Sequence, residues 1–143
     1  QNGCVYKPHV LGVQVGQKIE ILNSDGTLHN VHAMPKKKNN DAFNEAMPGA
    51  RKKVTKQFDE TEVMVKVKCD VHPWMGAFIG VLDHPFFSVT DEEGNFEIED
   101  LPPGTYTVEA WHERLPAQVV TVTVKADGDA TADFVLTRPP KKK

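Results

Sequence analysis

Segments of alternating apolar and polar residues recur along this chain, and each ends at a turn rich in glycine, proline, aspartate or asparagine. In the clearest segment, TEVMVKVKC at residues 61–69, one face carries Val63, Val65, Val67 and Cys69. Successive side chains of an extended strand point to opposite faces, so a period of two predicts a β-strand with one buried side. Such a chain is expected to fold as sheets, with Cys69 directed inward at a strand end.

The rest of the first half follows this pattern with one interruption. In GVQVGQKIEIL, residues 12–22, the alternation predicts one inward face formed by Val13, Val15, Ile19 and Ile21. A turn is predicted at NSDGT, residues 23–27, and an apolar strand at AFIGVL, residues 77–82. The interruption is the polar stretch 35–53, in which DAFNEAM predicts a helical turn that the following Pro-Gly pair stops.

Beyond residue 84 the strand signals are shorter and closer together. Turns such as DEEG, DLPPG and ADGD separate the predicted strands, which are residues 86–90, 95–99, 105–111, 118–124 and 131–136. Short strands at this spacing are typical of a β-sandwich. The predicted fold class is therefore all-β, with a β-sandwich followed by a small, closely packed second β-sandwich.

Charge distinguishes the two halves of this 143-residue chain. Residues 1–83 hold 11 Lys and Arg against 9 Asp and Glu, whereas residues 84–137 hold 2 against 11. Such a difference predicts two structural units. No apolar run approaches the roughly 18 residues of a membrane helix, so no membrane span is expected. The basic runs at 36–38, 51–53 and 141–143 accompany no nucleic-acid recognition motif, so no nucleic-acid partner is expected.

The segment VKCDVHPWMG, residues 67–76, carries three metal-ligating side chains at intervals of three residues, namely Cys69, His72 and Met75. A thiolate, imidazoles and a thioether are ligands that suit copper, and two His with one Cys and a weak axial Met form electron-transfer copper sites. Zinc would favour a second Cys-x-x-Cys or His pair, which the chain lacks. The missing imidazole must come from elsewhere, and TLHNVHAM offers His29 and His32.

Each ligand type also has an ordinary structural role. A lone inward Cys is commonly a small core residue, a His at a strand end is commonly hydrogen-bonded there, and a Met beside Trp commonly packs. Their combination in one short loop, with a histidine-bearing segment upstream, favours a metal site over three unrelated residues.

The pair HNVH and CDVHPWMG resembles the ligand segments of cupredoxins, the small blue copper proteins, and in particular the amicyanin and plastocyanin group. The resemblance covers roughly residues 4–82, because YKPHVLGVQVGQKIEILNSD is also similar to the first strands of that fold. It implies a Greek-key β-sandwich with copper held by His29, Cys69, His72 and, from the axial side, Met75. It further implies that Asn30 ties the ligand loops together, whereas Leu28 replaces the family's Pro.

The second half, VTDEEGNFEIEDLPPGTYTVEAWH, resembles carboxypeptidase-regulatory-like domains, which share a transthyretin-like β-sandwich, over about residues 80–137. The predicted domains are residues 1–82, which bind copper, and residues 83–137, the second sandwich. A disordered basic tail is predicted at 138–143. AFIGVL is expected to serve both units across a rigid junction.

The cupredoxin resemblance implies a single-electron carrier and no enzyme, with copper as its cofactor. It also implies that a redox protein docks near His72 and Trp74. The expected location is periplasmic or extracellular, after removal of a signal peptide. The sequence contains neither the Gly-x-Ser-x-Gly nor the His-Glu-x-x-His motif of hydrolases.

Cys4 can take one of three roles. A Cys4–Cys69 disulfide would remove the copper site, and a bystander or intermolecular thiol would leave it unchanged. Participation of Cys4, with or without His9, would give an enlarged or dinuclear copper site.

The function of the first domain and the full set of metal ligands are also open. The domain could bind or deliver copper without redox turnover, or it could be a structural β-sandwich in which Cys69 is buried. A looser second copper site would use His32, Met34 and Met47. His84 and His112, in the second half, are further candidate ligands.

Overall fold

The computed structural model describes residues 1–140 and, within them, contains β-strands and no helix. The predicted all-β class is confirmed. No helix in this part of the chain is long and apolar enough to cross a membrane. The nine strands are β1 (Val10–Gln14), β2 (Ile19–Leu22), β3 (His29–Met34), β4 (Phe43–Met47), β5 (Lys53–Lys56), β6 (Glu62–Lys68), β7 (Gly76–Leu82), β8 (Gly104–Ala110) and β9 (Gln118–Val124).

The chain forms two compact units, one comprising Gln1–Ile98 and the other beginning at Glu99. Strands β1–β7 belong to the first unit, and β8 and β9 belong to the second. The sequence domains 1–82 and 83–137 remain a prediction, as does the rigid junction. Residues 141–143 of the predicted basic tail lie outside the described residues.

The first unit consists of two sheets around one core. A five-stranded sheet has the order β1-β7-β6-β3-β4, and a two-stranded sheet pairs β2 with β5. All pairs are antiparallel except β1 with β7. Both sheets contribute buried side chains, such as Val31 and Ile79 from the larger sheet and Val54 from the smaller. Burying one face of each sheet against the other gives the layered sandwich.

The first residues of strand β6 depart from simple alternation of buried and exposed side chains. Its register against β7 shifts between Glu62 and Val65, which places one extra residue on β6. Val65 and Val67 are buried as predicted, but Val63 is 49% exposed. The predicted inward position of Val63 is therefore wrong, because a β-bulge turns the side chains before it to the opposite face.

Two further predictions in the first unit are wrong. Val15 is exposed rather than inward-facing, because β1 ends at Gln14 and the chain turns at Gly16, which has a φ of +76°. DAFNEAM forms strand β4 rather than a helical turn. Pairing with β3 and complete burial of Met47 outweigh the local helix propensity of this segment.

The second half has fewer strands than predicted. Strands β8 and β9 form an antiparallel hairpin, whereas residues 86–90, 95–99 and 131–136 are assigned to no strand. At the DEEG turn, the Asp91 carboxylate accepts hydrogen bonds from the backbone N–H groups of Glu93 and Asn95. This local bonding closes the turn. The backbone N–H of Asp91 also donates a hydrogen bond to the carbonyl of Asn95, but the flanking residues form no β-ladder.

Candidate metal centre

The candidate centre lies where β3 begins and β6 ends. These strands are antiparallel neighbours, with His32 opposite Lys68, so the two ends meet at one edge of the sheet. His29 opens β3, and Cys69 directly follows β6. Strand pairing therefore brings together two segments that are far apart in the sequence.

The loop from Cys69 to Met75 is closed by two backbone hydrogen bonds. The N–H of Met75 donates to the carbonyl of His72 at 2.9 Å, and the N–H of Cys69 donates to the carbonyl of Met75 at 3.1 Å. Pro73 suits the turn that the first bond defines, because its fixed φ fits the second position of such a turn. Cys69 and Met75 are buried, and His72 is half-buried.

Two imidazoles meet beside this loop, and the Cys69 sulfur lies near the imidazole of His72. The Nδ1 atoms of His29 and His72 are 3.0 Å apart, and the Sγ of Cys69 is 3.9 Å from Nδ1 of His72. The backbone N–H of His72 also points at this sulfur, at 3.4 Å. His29 is completely buried, so its Nδ1 faces the other donors and not solvent.

Two of the separations, between His29 and His72 and between His72 and Cys69, are compatible with neighbouring ligands of one metal ion. Nitrogen ligands lie about 2.0 Å and sulfur ligands about 2.3 Å from such an ion, so tetrahedral angles put two nitrogens roughly 3.3 Å apart and nitrogen and sulfur roughly 3.5 Å apart. The corresponding distances here, 3.0 Å and 3.9 Å, differ from these by a few tenths of an ångström. The donor chemistry is also right, because imidazole and thiolate are ligands that copper accepts.

Asp25 fixes the orientation of His29. Its Oδ2 lies 2.7 Å from Nε2 of His29, and an ionised carboxylate can only accept a hydrogen bond. Nε2 therefore carries the proton, and Nδ1 of the neutral ring has its lone pair free for a metal ion. Hydrogen bonds from the backbone N–H groups of Cys4 and Gly3, and from His29, lower the pKa of Asp25 to about 2.

Asn30 connects the two ligand segments. Its side-chain oxygen accepts a hydrogen bond from the backbone N–H of Asp70 at 2.6 Å, and its amide nitrogen donates to the Asp70 carboxylate at 2.9 Å. Asn30 follows His29 and Asp70 follows Cys69, so these bonds hold the two donors in register. Lys68 and the side chains of Asn30, Asn44 and His32 hold the pKa of Asp70 well below its ordinary value.

Cys4 also lies at this centre. Its sulfur and one ring nitrogen each of His29 and His72 are all within 4.8 Å of one another, and among residues 1–140 Cys69 is not part of this cluster. Cys4 and Cys69 are both free thiols, so the structure contains no disulfide between them. This position agrees with one of the three roles considered for Cys4, which sequence spacing does not distinguish, and the sequence predicts only a turn at Asp25.

The other histidines have different partners. His32 pairs with Asp70, and His9 Nδ1 lies 3.0 Å from the carbonyl oxygen of Gly76. The ring nitrogens of His84 and His112 accept hydrogen bonds from backbone N–H groups two residues further on. Within residues 1–140, none of these four belongs to a cluster of three or more His, Cys or acidic ligand atoms. Met47, proposed with His32, is in the core.

Several solved structures are similar to part of this chain. A novel purple cupredoxin from Nitrosopumilus maritimus is 24% identical, with a TM-score of 0.46, over 57% of this chain and 85% of that chain. A Cu(I) form of an amicyanin mutant is 23% identical, with a TM-score of 0.47, over 54% and 72%. A reduced amicyanin mutant is 25% identical, with a TM-score of 0.46, over 53% and 71%.

No curated protein matches the chain. The carboxypeptidase regulatory-like domain family matches residues 62–137. The match begins earlier than the expected residue 80 and so includes β6, β7 and the AFIGVL segment. Because it covers more than half of the sequence, the chain belongs to the carboxypeptidase regulatory-like domain family.

Proposed function

We propose that this chain is a copper-binding electron-transfer protein, with copper held by His29, Cys69 and His72 and with Met75 as a weak axial ligand. The observation that carries the proposal is the convergence of two imidazole Nδ1 atoms, 3.0 Å apart, beside the buried Cys69 sulfur. Met75 supports it, because it is buried and closes the same loop.

The protein holds the metal-ligating side chains in fixed positions. Asp25 holds His29, Asn30 joins both ligand segments, and two backbone bonds close the loop at Met75. Ligands held in this way move little when the charge of the site changes, and burial of Cys69 and His29 excludes water from the sulfur and one imidazole. Copper, when bound, supplies the one-electron change between its two oxidation states.

The half-buried His72 marks the side on which a redox partner docks. Large apolar side chains near the ligands in sequence are exposed, among them Trp74 at 67% and Val71 at 46%. The rings of Trp74 and His72 are 5.1 Å apart between centroids. Exposed apolar groups grouped in this way suit a protein–protein contact. We further propose a periplasmic or extracellular location, where such a partner would be met.

Titration with Cu²⁺ tests the site. We expect one bound copper and an intense visible absorption band from sulfur-to-copper charge transfer in the wild-type chain, with a small copper hyperfine splitting in the electron paramagnetic resonance spectrum. Cys69→Ser should abolish the band. His29→Ala should weaken or abolish it, whereas His32→Ala, on the same strand, should leave a band in place because His32 is not among the clustered ligand atoms. A colourless wild-type protein would overturn the proposal.

Voltammetry then separates electron transfer from copper delivery. An electron carrier should show a reversible one-electron wave for the copper-loaded protein. Weak colour, tight Cu⁺ binding and no reversible wave would instead favour a delivery module.

A further inference from the structure

Cys4 lies close enough to the candidate metal centre to add a fourth side chain to the three strong ligands proposed above. Its sulfur lies within 4.8 Å of ring nitrogens of His29 and His72, the two imidazoles that face each other. Cys4 is only partly buried and belongs to no strand. A thiol beside two convergent imidazoles is a ligand type that zinc and copper accept.

The backbone N–H and the carbonyl of Cys4 both form hydrogen bonds with residues next to the candidate ligands. The Cys4 N–H donates to Asp25, the carboxylate that orients His29, at 3.1 Å. The Cys4 carbonyl accepts a hydrogen bond from Nε1 of Trp74, in the ligand loop, at 2.9 Å. These bonds reach residues 21 and 70 positions away in the sequence, so the segment is docked on the site by tertiary contacts.

The backbone of Cys4 is in the left-handed region, with a φ of 55°. This region is unfavourable for a residue other than glycine, so the surrounding contacts must maintain it. The contacts that do so are those to Asp25 and Trp74. The conformation therefore belongs to the same arrangement that presents the thiol to His29 and His72.

The geometry favours one metal ion over two. Asp25 occupies Nε2 of His29, which leaves Nδ1 as the only nitrogen of that ring available to a metal. This Nδ1 is 3.0 Å from Nδ1 of His72, a separation suited to two ligands of one ion. Cys4 would then bind the same ion as His29 and His72, with the Cys69 sulfur 3.9 Å from Nδ1 of His72.

We propose that Cys4 is a second thiolate ligand, so that Cys4, Cys69, His29 and His72 are the four strong ligands of one site beside the weakly bound Met75. The proposal rests on the proposed function for the other three ligands. Zn²⁺ and Cu⁺ have filled d shells and accept two sulfur and two nitrogen ligands in a tetrahedral arrangement. The site therefore binds both ions tightly. Each thiol releases its proton to solvent as it binds the metal.

X-ray absorption of the zinc-loaded full-length chain counts the sulfur ligands directly. We expect two sulfurs per zinc in the wild-type protein and one in Cys4→Ser, and zinc affinity lower by at least about tenfold in that variant, since even changes outside the ligand shell cost 10–100-fold. One sulfur in the wild-type protein would overturn the proposal. Cys69→Ser serves as the matched variant and should also retain one sulfur.

Alkylation of Cys4, followed by mass spectrometry of its peptide, tests the docking. Zn²⁺ should slow Cys4 alkylation by at least about tenfold, as expected when a ligand is withdrawn from solution. Trp74→Phe keeps an aromatic ring but removes the hydrogen bond to the Cys4 carbonyl, so it should restore part of the reactivity. An alkylation rate that Zn²⁺ does not change would contradict the proposal.

The two proposals fail in different ways. A copper band that depends on Cys69, together with one sulfur per zinc, would retain electron transfer and exclude Cys4. Two sulfurs per zinc without a copper band would retain the Cys4 ligand and exclude the electron-transfer site.

Discussion

Glu62 is a buried carboxylate whose charge supports the first unit. It is 6% exposed, and its oxygens accept hydrogen bonds from the backbone N–H groups of Lys36 and Lys37 and from the side chain of Asn40. Burial by itself would raise the pKa of Glu62, but these hydrogen bonds outweigh it and hold the pKa below its ordinary value of 4.5. The ionised form therefore stabilises the fold.

Glu62→Gln should lower the free energy of unfolding at pH 7 by about 1–3 kcal/mol, because an amide cannot accept all of these bonds. The folded pKa lies below the unfolded one, so the stabilisation is present above pH 4.5 and is lost as the pH falls through the folded pKa. The difference between variant and wild type should therefore shrink in urea titrations at pH 3. Glu20→Gln, at an exposed ion pair with Lys53, should change little at either pH. A difference that stays constant with pH would contradict this role of Glu62.

Single residues of the metal centre differ in how far the sequence predicts them. Cys69, His72 and Met75 are close in the chain, so their spacing alone indicates a common site. His29 could be selected over His32 only through a family resemblance. Asp25 had one usable signal, a carboxylate four residues before a histidine, but the position of Cys4 depends on tertiary hydrogen bonds that spacing does not encode.

At the scale of elements, alternation predicts strands well where they pair regularly. It correctly gave Val65 and Val67 an inward position on β6 and predicted the hairpin strands β8 and β9. It failed at Val63, because a bulge is a property of the pairing between strands and not of either strand alone. It also failed at β4, where pairing with β3 decides the structure.

The bulge predicts opposite outcomes for two valines on β6. Val65→Ala should lower the free energy of unfolding by about 1–3 kcal/mol, since Val65 has no exposed surface and truncation leaves a cavity. Val63→Ala should change it by less than about 0.5 kcal/mol, because that side chain is 49% exposed. Urea denaturation at neutral pH measures both. Equal losses would mean that β6 pairs in the regular register predicted from its sequence.

Across the whole molecule, burial is unevenly distributed. Every buried residue of the described chain lies at or before Val81, and residues 82–140 contain none. The first unit therefore holds the core and the candidate metal centre. The strands of the second unit form one hairpin with half-buried and exposed side chains, an arrangement that supplies little apolar burial. The family match nevertheless spans residues 62–137 and so includes strands of both units.

This distribution predicts that the units open separately. In hydrogen exchange of the wild-type chain, amides of β8 and β9 should exchange at least roughly 100-fold faster than those of β6 and β7, a difference of about 2.7 kcal/mol in opening free energy. The reason is that the β6–β7 ladder is covered by core residues such as Val65 and Val81, whereas no side chain of β8 or β9 is buried. Mass spectrometry of peptides from the two hairpins provides the comparison within one sample. Equal protection would contradict this prediction and show that the two units unfold as one cooperative body.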